Sequence, residues 1–140
     1  MISVHKNIAH PWQCDVMGHM TTRFYMAMFD DSSYHFLHHL FGWNSAQDPT
    51  GKFGWVDVNH SINYLAEVDA GDLLEVRAEL TKVGGKSMTM SYEMINLGSG
   101  DVAATLESVI VLFDLEERCA VMIPDDIRKK AQLHVGTDFV

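Results

Sequence analysis

The chemistry-bearing residue types of this chain crowd into one short run, Trp12-Gln13-Cys14-Asp15-Val16-Met17-Gly18-His19-Met20. It stands directly ahead of a stretch with helical spacing, so Asp15 falls just before the N-terminal end of a helix. The N–H groups of a first helical turn have no intrahelical partner and favour negative charge, which suits them to stabilising an oxyanion. A carboxylate beside them can attack a carbonyl or deprotonate water. Gly18 permits a tight turn and a close backbone approach, and His19 can position the loop or move a proton. The competing reading is structural: Asp15 caps a turn and His19 satisfies a backbone carbonyl.

Two other groups of residues invite chemistry. His60 shares the apolar alternation of its segment with Val58 and Ile62, which fits a buried neutral imidazole on a backbone partner or a groove residue acting with Asn59 or Ser61. Asp31, His35 and His39 recur every four residues, with His38 beside them, a spacing that can gather ligands on one helix face. No HExxH pattern accompanies them, and no metal or other cofactor is expected.

These groups need a scaffold, and the hydrophobic pattern supplies one. Tyr25, Met28, Phe29, Ser32, Phe36 and Leu40 recur at three and four residues, predicting one long helix over 22–41, apolar around most of its circumference. Thr21 or Thr22 is placed to cap its start, Gly42 to end it, and Ser32 and Ser33 to admit a sheet close by. A Gly/Asp/Pro-rich loop over 42–52 follows, containing Pro49. The period then changes to two. Val56, Val58, His60, Ile62 and Tyr64 fall on one face of a strand, and Asp57, Asn59, Ser61 and Asn63 on the other. Leu74, Val76, Ala78 and Leu80 lead through a Gly84-Gly85 turn to Met88, Met90, Tyr92 and Met94. A further turn at Gly98–Asp101 opens a strand through Phe113, Arg118–Ile123 offers a short one, and Pro124 suits the first turn of a terminal helix. With a first strand in Val4–His10, the order is strand, long helix, then four or five antiparallel strands, an α+β arrangement. One buried helix wrapped by a curved sheet is the hot-dog fold, and its open edges predict pairing with a second copy.

The run Asp15-Val16-Met17-Gly18-His19-Met20 with Phe24-Tyr25, then Tyr64-Leu65, Gly71-Asp72 and Leu74, then Lys86-Ser87, resembles the 4-hydroxybenzoyl-CoA thioesterase family of hot-dog enzymes from about Val4 to Ile127. The resemblance implies hydrolysis of an acyl-CoA thioester. It makes Asp15 the nucleophile or general base and the backbone N–H near Thr22 the carbonyl's hydrogen-bond donor. It puts Lys86 and Ser87 at the coenzyme A end of the groove, and Phe24 and Tyr25 beside the substrate. Thr21 and Thr22 stand where the family more often has Asn or His, which leaves backbone donation intact. Gly84-Gly85 replaces a more basic stretch, so Lys82 and Lys86, then Arg118 and Arg128, are the candidates for coenzyme phosphates. Gly18-His19-Met20 with 64–72 is also similar to betainyl-CoA thioesterases, for which Trp12, Trp43, Trp55 and Tyr64 would form a cage around a trimethylammonium group. Other readings are an acyl-carrier-protein thioesterase, which would need a basic docking surface, and a non-catalytic hot-dog module binding acyl groups or small molecules.

Composition narrows the field. The 140 residues, 47% hydrophobic and 21% charged, suit a single domain over 1–140 with one core. No window approaches the roughly 18 uninterrupted apolar residues of a membrane span. The net charge of −9 disfavours nucleic acid. Two isolated cysteines, Cys14 and Cys119, and the absence of a signal peptide pattern point to the cytoplasm. Nine methionines fit a pliable core, or a lining for a flexible ligand. A homodimer is expected, alone or as a dimer of dimers.

Overall fold

The computed structural model describes residues 1–43 and 51–136. Most of the loop read at 42–52, Pro49 included, lies outside the described residues. The elements are β1 (Ile2–Ile8), a 3-10 turn (Pro11–Gln13), α1 (Thr22–Phe41), β2 (Phe53–Tyr64), β3 (Leu73–Val83), β4 (Ser87–Asn96), β5 (Val102–Asp114), β6 (Cys119–Ala120) and α2 (Asp125–His134). The sheet is antiparallel, in the order β1-β3-β4-β5-β2, with β6 paired to the end of β5. It curves around α1 in the hot-dog arrangement.

Alternation dictates which side chains line that curve. Leu74, Val76, Ala78 and Leu80 of β3 are buried, as are Met88, Met90, Tyr92 and Met94 of β4. From α1 they meet Tyr25, Met28, Phe29, Ser32, Phe36, Leu37 and Leu40. Phe29 and Phe36 each present an edge to Tyr92, with ring centroids 6.1 Å apart. Five of the nine methionines, Met20, Met28, Met88, Met90 and Met94, sit in this core. Ser32 fits beneath the sheet by donating its hydroxyl to the Met28 carbonyl at 2.6 Å, which satisfies a fully buried polar group.

Four expectations need correction. α1 is apolar on one stripe rather than most of its circumference: Asp30, Asp31, Tyr34, His35, His38 and His39 are exposed in the protomer. Neither Thr21 nor Thr22 caps the helix through its side chain, because Thr21 Oγ1 is buried with no partner and no side-chain cap bond forms. Gly42 does end the helix in the left-handed conformation, φ +65. Pro124 is the residue before α2 rather than part of its first turn, which Asp125 and Asp126 open in keeping with the helix dipole. The last correction concerns β2. A bulge at Val58 shifts its register against β5 between Asp57 and Asn59. The extra residue breaks the alternation, so Asp57, opposite Ile110, shares the inner face with His60, Ile62 and Tyr64.

Candidate active site

The loop before α1 is a closed hairpin. Thr21 N–H donates to the Gln13 carbonyl, Asp15 N–H to His19, and Gly18 N–H to Asp15, at 2.9, 2.8 and 3.0 Å. Gly18 carries φ +81 at the turn, and a Cβ there would meet nothing within 4 Å. Conformational freedom, not crowding, is therefore what the turn requires of this glycine. Asp15 Oδ1 accepts from Met17 N–H at 2.8 Å and from His19 N–H at 3.3 Å, so the turn-capping reading is realised. Asp15 Oδ2 accepts no hydrogen bond among the described residues, which leaves one carboxylate oxygen for another partner. Asp15 stands two residues beyond Gln13, about 7 Å from the level where Thr21 begins α1.

At that level Phe24 N–H turns back to the Thr21 carbonyl at 3.0 Å, while the N–H groups of Thr22 and Arg23 have no acceptor among the described residues. Thr22 also lines a groove of about 270 Å³, together with His19, Met20, Tyr25 and residues 64–67. Tyr25 is a wall of this groove and an anchor. Its hydroxyl donates to the Ala66 carbonyl at 3.2 Å, and its ring meets Tyr64 edge-on at 5.2 Å. Burial, then the neighbouring Tyr64 and Glu67, raise the Tyr25 phenol above its ordinary range, which keeps it a donor. Phe24, half-buried, packs against the core under the Arg23 guanidinium. His19 does not satisfy a backbone carbonyl: its Nε2 lies 3.2 Å from Glu67 and 3.6 Å from Asp69. With Met20 N–H on the Val68 carbonyl at 2.7 Å, this clamps the hairpin to the 65–69 segment. Glu67 and Asp69 belong to this loop-holding machinery and were missed, because acidic residues after a strand read as a solvated turn.

Asp15, Gly18, His19, Thr22 and Tyr25 thus come together within one protomer. Lys86 and Ser87 do not join them. Ser87 pairs with Val111 and Tyr64 with Ala104, a separation of seven residues along β5, or about 23 Å. Lys82 and Lys86 are exposed at the hairpin between β3 and β4. Arg128 is a correction to the phosphate candidates: it donates to the Gly84, Gly85 and Ile123 carbonyls at 2.6, 2.8 and 3.4 Å and pins that hairpin to α2. Arg118, at φ +60, lies 5.3 Å over the Phe113 ring.

On β2 the three candidates separate. Asn59 and Ser61 face outward opposite Val109 and Glu107, whereas His60 faces inward opposite Ser108. The partner of His60 is a carboxylate rather than backbone, with Nε2 3.2 Å from Asp57 Oδ1. The four-residue aromatic cage does not assemble either. Trp43 and Trp55 line one cavity, Tyr64 lines the groove at Thr22, and Trp12 stacks on His10 with 72% of its surface exposed. Among the described residues no three His, Cys, Asp or Glu side chains are arranged to hold a metal ion. His35 instead stacks on His5, with centroids 5.2 Å apart.

A family model described as the thioesterase-like superfamily matches residues 9–131. The chain belongs to that superfamily. This hot-dog thioesterase is 25% identical over 123 residues to the long-chain acyl-CoA thioesterase FadM of Escherichia coli K12, covering 86% of this chain and 90% of FadM. A 1,4-dihydroxy-2-naphthoyl-CoA thioesterase from Synechocystis superposes with TM-score 0.79 at 19% identity, over 91% of this chain and 93% of that one. A Staphylococcus aureus protein solved in complex with CoA superposes with TM-score 0.86 at 16% identity, over 99% and 89%. No helix among the described residues is long and apolar enough to cross a membrane.

Proposed function

We propose that this thioesterase hydrolyses an acyl-CoA thioester, with Asp15 carrying the chemical step and the Thr22 and Arg23 amides holding the oxyanion. One observation carries the reading: a carboxylate with one oxygen uncommitted is fixed in a closed hairpin immediately ahead of two unpaired helix-start donors. Such donors act on charge that develops as the carbonyl becomes tetrahedral. Gly18 and the His19 clamp hold the hairpin in place. Asp15 then either deprotonates water or attacks directly to give a mixed anhydride that water opens. Similarity to FadM and the apolar cavities of the fold support an acyl-CoA over a carrier-protein substrate, as does the acidic balance of −9.

The working unit in this proposal is a homodimer. β2 leaves one edge unpaired, and Val56, Val58, Tyr64 and Leu65 along it are exposed. Two antiparallel copies of one edge satisfy each other about a two-fold axis. Lys82, Lys86 and Ser87 are then the groups for the coenzyme end of the substrate, reached along or across that seam. A reducing, cytoplasmic setting fits the two free cysteines.

Thiol release measured over short, aromatic, long-chain and betainyl CoA esters tests the activity. Turnover of at least one ester is the expected result; none on any ester would support the non-catalytic binding module. Single-turnover hydrolysis in labelled water separates the two routes, because label enters Asp15 only if Asp15 is acylated.

A further inference from the structure

Gly71 and Asp72 lie outside the groove at Thr22, yet the loop that contains them is bonded to both ends of the Asp15 hairpin. Where the chain leaves β1, Ala9 N–H donates to the Asp72 carbonyl at 3.0 Å, and the Ala9 carbonyl accepts from Gly71 N–H at 2.7 Å. Where it returns toward α1, His19 pairs with Asp69 as an antiparallel bridge, and Met20 N–H reaches the Val68 carbonyl. Ala9 and Val68 are fully buried. Residues 68–72 are therefore the base to which the hairpin is tied before and after its turn.

The Asp72 carboxylate fastens that base to the sheet. Asp69 and Asp72 close the loop reciprocally, with Asp72 N–H on the Asp69 carbonyl at 3.1 Å and Asp69 N–H on Asp72 Oδ2 at 2.9 Å. The same Oδ2 accepts from Asn96 Nδ2 at 3.0 Å. Asn96 ends β4 opposite Leu74, and its own Oδ1 accepts from Gly98 and Ser99 N–H at 3.0 and 3.4 Å. One carboxylate oxygen thus joins the loop under the hairpin to the last residue of β4, and an ionised acceptor makes both bonds stronger than a neutral one would.

We propose that Asp72 is a positioning residue for thioester hydrolysis: through Asp69 and His19 it sets where Asp15 stands relative to the Thr22 and Arg23 amides. The inference rests on the thioesterase reading and adds a residue that touches neither the groove nor the reacting atoms. The line of contacts is short. Asp72 holds the N–H of Asp69, the Asp69 carboxylate lies 3.6 Å from His19 Nε2, and His19 N–H donates to Asp15 Oδ1 at 3.3 Å. A reacting group displaced by about 1 Å can cost about 10²-fold in rate. Binding of the acyl and coenzyme portions uses other surfaces, so loss of the Asp72 bonds falls on kcat rather than KM.

The test is steady-state kinetics on the best CoA ester, well below the melting temperature of every variant. Asp72→Ala is expected to lower kcat about fivefold or more, with KM within about threefold of wild type. Asp72→Asn keeps an oxygen that can accept from both donors and should restore kcat to within about threefold. Asn96→Asp keeps the acceptor for Gly98 and Ser99 but removes the donor to Asp72, so it should lower kcat from the far side of the same link. Added to His19→Ala, Asp72→Ala should deepen the loss by less than about twofold, because both act through one clamp. A kcat loss in Asp72→Ala below fivefold, with only the melting temperature lowered, makes Asp72 a fold residue and overturns the inference. Multiplication of the two losses in the double variant overturns it as well. Should Asp72→Ala fail to fold, Asn96→Asp decides, and wild-type kcat there is the contrary result. Should no ester be cleaved, the catalytic reading fails separately. The inference is then judged by amide hydrogen exchange over residues 14–20, expected to be faster in Asp72→Ala than in wild type; equal rates overturn it.

Discussion

At the residue scale, Gly18 and Arg128 make the same point from opposite directions. Gly18 faces open space, so Gly18→Ala introduces no clash and strains only the backbone at φ +81. A left-handed non-glycine residue costs about 1–2 kcal/mol, and the strain falls on the hairpin that carries Asp15. We expect a fall in melting temperature together with a loss of kcat larger than any change in KM, measured by thermal denaturation and steady-state kinetics. Arg128 looked like a phosphate ligand by charge alone. Its guanidinium is committed to three carbonyls, so Arg128→Gln should destabilise by about 1–3 kcal/mol and leave the KM for CoA esters near wild type. Lys86→Ala, in contrast, should raise KM and leave the melting temperature unchanged. A sequence shows which residues carry charge; it does not show which charges the backbone has already claimed.

At the element scale, α1 was legible to the residue because its apolar period, the glycine that ends it and its place after the loop agreed. The strands were legible as alternation, and the Gly84-Gly85 and Gly98–Asp101 turns set their pairing. What escaped was the bulge at Val58. One extra residue reverses every later side chain relative to those before it, and Asp57, read as a solvent-facing partner of Asn59, is an inner-face carboxylate instead. Nothing in Val56-Asp57-Val58-Asn59 distinguishes the bulged strand from a regular one. The contact between β1 and α1 carries a prediction of its own. Burial, then the stacked His35, lowers the His5 pKa from 6.5, while Asp31 opposes the shift. The folded state therefore binds fewer protons than the unfolded chain below about pH 6.5, and this contribution is lost as pH falls from there. Burial and His39 lower His134 in the same sense. Thermal melts at pH 7 and pH 5.5 should show a drop for wild type that is smaller in His5→Gln; equal drops would remove His5 from the account.

For the whole molecule, the hairpin site and the coenzyme-end candidates sit about 23 Å apart along β5, and the outer edge of β2, where Val56 and Val58 are exposed, has no strand partner among the described residues. A sequence fixes which strand is β2 but carries no register between copies. Pairing of the two edges is expected to give a dimer by analytical ultracentrifugation. Replacing Val56 and Val58 by lysine should shift it toward monomer and reduce activity in parallel. A monomeric variant with full activity would show that one protomer holds a complete site. The nearness of Asp15 to the helix start was legible from spacing, whereas the Glu67 and Asp69 clamp was not, since the 65–69 segment meets the hairpin only through the fold.

The central claim is that the Asp15 carboxylate acts on the thioester carbonyl held by the Thr22 and Arg23 amides. The most direct measurement is kcat for Asp15→Asn against wild type on the best CoA ester of the panel. Asparagine retains the carbonyl oxygen that accepts from Met17 and His19, so the hairpin persists while nucleophile and base are removed. The account predicts a loss of about 10²–10⁴-fold in kcat with an unchanged melting temperature. A variant that turns over within a few-fold of wild type would contradict it.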